Sequence, residues 1–140
     1  MINVLSDRCR TRALLVGLAL MVSGTAWAAE PQVQFKGATP IVATNLTDEN
    51  GCFPTNVRGR VVKRTFAKDE IMLASVTIEQ QSGERILINV DSDKIEKANM
   101  AARTNAVRAL QIMAREGSRV RLGVFACGAA GRVLMLDSIR

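Results

Sequence analysis

Residues 85–117 read RILINVDSDKIEKANMAARTNAVRALQIMAREG, and this stretch decides the fold. Its first seven residues alternate in side-chain character, with Ile86, Ile88 and Val90 on one face. Strict alternation of this kind is typical of a strand that buries one side. The spacing of the apolar residues then changes to that of a helix. The stretch therefore predicts a strand that passes directly into a helix.

The predicted helix has recognisable ends. Asp93 is the predicted N-cap, since Glu96 follows three residues later as in a capping box. The helix is expected to run to about Glu116, where Gly117 ends it. At 100° per residue one face is apolar and made mostly of small side chains. That face consists of Ile95, Ala98, Ala102, Ala106, Ala109, Leu110 and Met113.

Four further strand signals flank this unit. Residues 57–66 hold β-branched side chains between charges, and their alternation slips at Val61 and Val62, as a β-bulge would cause. Residues 71–80 form a second strand, which ends at the turn Gln81-Ser82-Gly83. Residues 119–126 and 133–139 form two strands after the helix. The order strand, strand, strand, helix, strand, strand predicts a mainly β protein with one long helix. This is the order of an OB-fold, a five-stranded Greek-key barrel, over residues 51–140.

Residues 1–28 have the pattern of a signal peptide. Arg8, Arg10 and Arg12 precede an apolar run of about ten residues, which is too short to cross a bilayer, and Ala26-Trp27-Ala28 resembles a cleavage site. We therefore predict export to the bacterial periplasm or beyond, with no membrane span after cleavage. The whole chain has 19 Lys and Arg against 13 Asp and Glu. Cleavage removes three basic residues and one acidic one, which lowers the net charge from +6 to +4.

Two cysteines remain after cleavage, Cys52 and Cys127. In an oxidising compartment they are expected to form a disulfide, which would close a loop of about 75 residues. Two buried free thiols are the alternative.

Residues 29–50 are predicted to be a loop-like extension, because it contains Pro31, Gly37 and Pro40. One short helical turn is predicted within it, over residues 45–50.

The composition argues against catalysis. The 140-residue chain contains no histidine and no tyrosine, so histidine-based triads and imidazole-ligated zinc sites are excluded. The acids Asp91, Asp93 and Glu96 lack the spacing of a calcium loop and are explained by helix capping. We therefore predict a binding protein that is not an enzyme and that has no metal or other cofactor.

Arginines on the strands offer an alternative function. Arg58 and Arg60 lie on the first barrel strand, and Arg119 and Arg121 on the fourth, which adjoin in an OB-fold. This face could hold a polyanion. Single-stranded nucleic acid is less favoured, because the second and third strands carry no aromatic side chain for base stacking.

The chain resembles the B subunits of bacterial toxins in which one A chain sits on a ring of five B chains. In the Shiga-type subunit a cysteine precedes a short strand, as Cys52 precedes Val57-Arg-Gly-Arg-Val here. The segment Gly117-Ser-Arg-Val-Arg-Leu followed by Ala126-Cys127-Gly128 is similar to the end of that subunit. The turn Asn45-Leu-Thr-Asp resembles one before the first cysteine of the cholera-type subunit.

This resemblance implies a secreted homopentamer that recognises cell-surface glycans and carries an A-type toxin chain. The aromatic residues of the toxin sites are missing, since Gly128-Ala-Ala-Gly131 and Asp91-Ser-Asp93 stand in their places. The remaining candidate ligand residues are polar: Lys68, Asp69, Glu70, Asp91, Ser92 and Lys94. The same sequence features are compatible with a periplasmic accessory protein that binds another protein, which is the alternative function.

Overall fold

The computed structural model describes residues 29–48 and 51–140. The predicted signal peptide, residues 1–28, lies outside the described residues. The described chain forms seven strands and two helices. The elements in chain order are β1 Gln32–Lys36, β2 Thr39–Thr44, β3 Phe53–Phe66, β4 Leu73–Glu79, β5 Arg85–Asn89, α1 Ser92–Lys97, α2 Met100–Met113, β6 Arg119–Cys127 and β7 Val133–Ile139. A short 3₁₀ turn, Ala129–Gly131, connects β6 to β7.

Five of these strands close into a barrel, which confirms the predicted fold class. Strands β3, β4 and β5 form an antiparallel meander, β5 pairs in parallel with β7, and β7 pairs with β6. The pairing of β6 with β3 closes the ring. The two helices lie between β5 and β6 in the chain, as an OB-fold requires.

Alternating residues of the barrel strands fill its interior. Ile78, Ile88, Leu122 and Leu136 are each at most 1% exposed, and Ile95 of α1 joins the same core. These side chains come from five different elements, so burying them ties the barrel strands to the helix region. Each fully buried side chain of this size contributes about 1.5–3 kcal/mol relative to leaving it in water.

The predicted bulge in the first barrel strand is confirmed. The register of β3 against β4 shifts between Val61 and Lys63. The backbone groups of Val61 bond on the opposite side of β3, to the turn after α2. The N–H of Val61 donates to the carbonyl of Ser118 (2.9 Å), and the N–H of Gly117 donates to the carbonyl of Val61 (2.8 Å). The bulge reverses which side of β3 faces the core from this point on.

The predicted disulfide is also present. Cys52 precedes β3 and Cys127 ends β6, and their Cα atoms are 4.7 Å apart across the ladder that closes the barrel. The bond joins residues separated by 75 positions in the chain.

The long helix is interrupted, where a continuous one from Asp93 to Glu116 was predicted. Helix α1 ends at Lys97, its C-cap Ala98 has an extended ψ of 159°, and α2 begins after Asn99. The Asn99 side chain accepts a hydrogen bond from the N–H of Ala102 at 2.9 Å and so caps α2. The cap of α1 is Asp91, two residues before the predicted one. Asparagine side chains compete for backbone hydrogen bonds and favour a cap position, which is the role of Asn99 here.

The extension also differs from the prediction, because residues 32–44 form a hairpin. Strands β1 and β2 pair across a turn in which Gly37 has a φ of 65°, and Ala43 of β2 pairs with Ile139 of β7. The hairpin contacts α2, and the Arg108 side chain donates to the carbonyl of Ala38 at 3.3 Å. Residues 45–48 are not helical, and residues 49 and 50 of the predicted helical turn lie outside the described part.

Candidate functional site: an arginine groove

The four arginines of the predicted polyanion face lie together on the outside of the barrel. The ladder between β3 and β6 places Arg58 directly opposite Arg121 and Arg60 directly opposite Arg119. All four side chains are exposed. Directly opposed residues of an antiparallel pair point to the same face, so these arginines form two like-charged cross-strand pairs.

Strand alternation explains why these side chains point outward. Val57 and Val61 on β3 and Val120 and Leu122 on β6 are each at most 6% exposed. The arginines occupy the positions between these buried residues, so they face solvent. Like charges placed directly opposite each other destabilise a sheet, and here two such pairs are adjacent.

A fifth arginine, Arg140, extends the first of these pairs. The N–H of Arg121 donates to the carbonyl of Arg140 at 2.8 Å, and the N–H of Arg140 donates to the carbonyl of Arg121 at 3.0 Å. Residues that exchange both bonds lie opposite each other in an antiparallel ladder. Arg58, Arg121 and Arg140 therefore form a row across three neighbouring strands, and Arg140 was not predicted.

The arginines line an open groove of about 870 Å³, which we call the arginine groove. The groove is lined by Arg58, Gly59, Arg60, Glu79, Gln80, Gln81, Arg119, Val120, Arg121 and Arg140. Glu79 is the single acidic side chain among these ten residues.

Glu79 lies at one end of the groove and forms an ion pair with Arg85. It is opposite Arg60 in the ladder between β3 and β4, and opposite Arg85 in the ladder between β4 and β5. Its Oε2 atom accepts a hydrogen bond from Nε of Arg85 at 3.1 Å. Glu79, Gln80 and Gln81 were not singled out from the sequence, although the hairpin turn after residue 80 places them beside Arg60.

The predicted ligand residues of the first hairpin shape their own loop. The Asp69 carboxylate accepts hydrogen bonds from the N–H groups of Met72 and Ile71, both at 3.0 Å. These bonds stabilise the ionised form, so they lower the pKa of Asp69 below its usual value of 3.8. Lys68 and Glu70 flank it and are exposed.

The predicted ligand residues at the helix entrance also have partners within the chain. The Asp91 carboxylate caps α1 by accepting from the N–H of Lys94 at 3.1 Å, and it accepts from the Thr47 hydroxyl at 3.0 Å. Nζ of Lys94 lies 2.7 Å from Oδ1 of Asp48, and its side chain is 10% exposed. Ser92, the first residue of α1, is half-buried. These contacts fix α1 to residues 47 and 48.

A second, smaller cleft of about 200 Å³ lies beside these contacts, where residues 29–31 pass α1. Lys94 contributes to its lining, as do Asp48 and Lys97.

Within residues 29–48 and 51–140, no three His, Cys, Asp or Glu side chains lie close enough together to hold a metal ion. Among the helices of these same segments, none has the length and apolar character needed to cross a membrane.

Comparisons with models of protein families, with curated proteins and with solved structures found no match to this chain.

Proposed function

We propose that this protein is an exported, non-catalytic binding module that holds an anionic polymer in the arginine groove. One observation carries the proposal: Arg58 and Arg60 lie directly opposite Arg121 and Arg119, and Arg140 completes a row of three. A bound anion converts this repulsion into charge-assisted hydrogen bonds.

The residue type supports an oxyanion ligand. The guanidinium group presents five donors in a planar fork that matches carboxylate, sulfate and phosphate groups. Among the groove residues one carboxylate, Glu79, competes for these donors, and it is paired with Arg85 outside the groove. Five arginines face it. The groove is therefore strongly electropositive and attracts anions from solution.

The dimensions favour a polymer over a small anion. Neighbouring strands are about 4.8 Å apart, so the row from Arg58 through Arg121 to Arg140 spans about 10 Å. The pair Arg60 and Arg119 lies two residues along the ladder from the pair Arg58 and Arg121, which adds about 7 Å. A single sulfate or phosphate reaches one or two of these side chains. A chain with repeated anionic groups engages all of them.

Two further observations support export. The chain contains a disulfide, and such bonds persist mainly outside the cytoplasm. The residues before position 29 have the pattern of a signal peptide. These observations together favour a ligand that is found outside the cytoplasm.

The experiment compares two double variants with equal charge. Arg58→Gln with Arg121→Gln removes one cross-strand pair of the groove, whereas Arg103→Gln with Arg115→Gln removes two exposed arginines of the helix region. Binding to heparin is measured at several salt concentrations. The native protein is expected to bind with an affinity that falls linearly on a double-logarithmic salt plot. The groove variant should lose about two units of that slope, and the control variant should retain it.

Two outcomes would refute the proposal. One is the absence of heparin binding by the native protein at low salt. The other is an equal loss of affinity in the two double variants, because this would show that net charge and not the groove determines binding.

The toxin-like ring stays a prediction of the resemblance, together with the A-type chain and the glycan residues Lys68–Glu70, Asp91, Ser92 and Lys94. Light scattering on the oxidised mature protein tests the ring directly. A mass of five chains would support it, and a monomer at micromolar concentration would exclude it.

A further inference from the structure

The arginine groove has two chemically different ends. At one end, the side chains of Arg58, Arg121 and Arg140 present only donors. At the other end, Glu79, Gln80 and Gln81 present acceptors as well as donors. A ligand that fits both ends carries anionic groups and also hydroxyl groups that donate.

We infer that the ligand is an acidic polysaccharide and that Glu79 selects it against polyanions without hydroxyl donors. This inference rests on the proposed function and names the ligand class for the same groove. Polyphosphate and the backbone of DNA consist of acceptor groups alone. Their negative charges are repelled by the Glu79 carboxylate, whereas a sugar hydroxyl donates a hydrogen bond to it.

The position of Glu79 fits this selective role. Glu79 lies directly opposite Arg60 in the ladder between β3 and β4, and its Oε2 atom lies 3.1 Å from Nε of Arg85. An ionised carboxylate has about four acceptor sites, so one bond to Arg85 leaves capacity for a ligand hydroxyl. The adjacent amides of Gln80 and Gln81 both donate and accept, as is needed for further hydroxyl groups.

The absence of aromatic side chains from the groove argues against single-stranded nucleic acid as the ligand. None of the ten residues that line the groove is aromatic. Proteins that bind single-stranded nucleic acid combine a positive groove with aromatic side chains on which the bases stack. The groove has the charge of such a site without the stacking surface, so its charged and hydrogen-bonding side chains must make the contacts to a polymer.

The test exchanges one carboxylate for the amide of the same shape. Glu79→Gln is compared with Glu84→Gln, which makes the same change in net charge on the exposed turn of the same hairpin. Affinities for polygalacturonate and for polyphosphate of matched charge are measured for each protein. Glu79→Gln should bind polyphosphate at least about threefold more tightly and polygalacturonate at least about threefold more weakly. Glu84→Gln should leave the ratio of the two affinities unchanged.

The outcomes separate this inference from the proposed function. Binding of neither polymer by the native protein would overturn both. Arginine-dependent binding of both polymers, with an affinity ratio that Glu79→Gln does not move, would overturn only the role of Glu79 and the ligand class. An equal change in the Glu84→Gln variant would do the same. Circular dichroism and a thermal melt verify that both variants are folded.

Discussion

Removal of the disulfide should destabilise the barrel by about 4.5 kcal/mol. Cys52 and Cys127 are separated by 75 positions, and the chain-entropy model converts a loop of this length into about 15 cal/mol/K. The bond lies where β3 and β6 pair to close the barrel, so it limits the separation of these two strands in the unfolded chain. Domains of this size are stable by about 5–15 kcal/mol, so the predicted loss is a large share of the total.

The measurement is urea denaturation of the native protein and of the Cys52→Ser, Cys127→Ser double variant. With a slope of about 1–3 kcal/mol/M, the midpoint should fall by roughly 2 M. The slope itself should rise in the variant, because the unfolded chain without the cross-link exposes more surface. A loss below about 1 kcal/mol would refute the reasoning. An unchanged slope would show that the bond acts through native contacts.

Four further predictions concern single side chains. Arg64→Met removes a hydrogen bond to the carbonyl of Gln111 (3.2 Å), so it should cost about 1–2 kcal/mol in urea denaturation without changing heparin affinity. Gly59→Ala places a methyl group against a neighbouring carbonyl and should cost about 1–3 kcal/mol by the same assay. Asp69 has a lowered folded-state pKa, so its contribution to stability is complete above pH 3.8 and is lost as the pH falls through the folded value. The difference in urea midpoint between native protein and Asp69→Asn should therefore shrink in acid. Arg121→Thr removes like-charge repulsion and should stabilise the protein by about 0.5 kcal/mol at low salt, with the gain vanishing at 1 M salt.

Local sequence patterns predicted most of the barrel. The slip at Val61 and Val62, the turn at residues 81–83 and the bounds of β7 are visible as changes in alternation, and each is confirmed. The disulfide followed from the number of cysteines and the expected compartment. The bulge, the turn and the bounds of β7 depend on side chains that are close in sequence, and the disulfide depends on one pair of cysteines. Such features can be predicted from the sequence.

The hairpin of β1 and β2 shows where such reasoning failed. Residues 32–36 alternate between polar and apolar side chains, which is a strand signal, but the prolines on either side favoured a loop. Pro40 is tolerated in β2 because it lies opposite Phe35, where the register shifts in a bulge. A proline at a bulge interrupts no ladder bond, and its position relative to the bulge is set by the partner strand.

Predicting all residues of the arginine groove would have required knowing the register between strands that are distant in the sequence. Arg140 joins Arg121 only because β7 pairs with β6 at that position, and no local pattern specifies this match. Glu79 joins the groove through the pairing of β4 with β3. The arginines of β3 and β6 were found because adjacent strands and alternation were enough to place them on one face.

The bulge also decides which basic residues of β3 belong to the groove. Before it, Arg58 and Arg60 face solvent; after it, the alternation is reversed and Arg64 turns toward α2. There Arg64 donates to the carbonyl of Gln111 and lies 5.2 Å from the ring of Phe66. Had the alternation continued unbroken past Val61, Arg64 would face outward together with Arg58 and Arg60. Counting charges places all three arginines on one basic strand, whereas the bulge leaves Arg58 and Arg60 in the arginine groove and directs Arg64 to the carbonyl of Gln111.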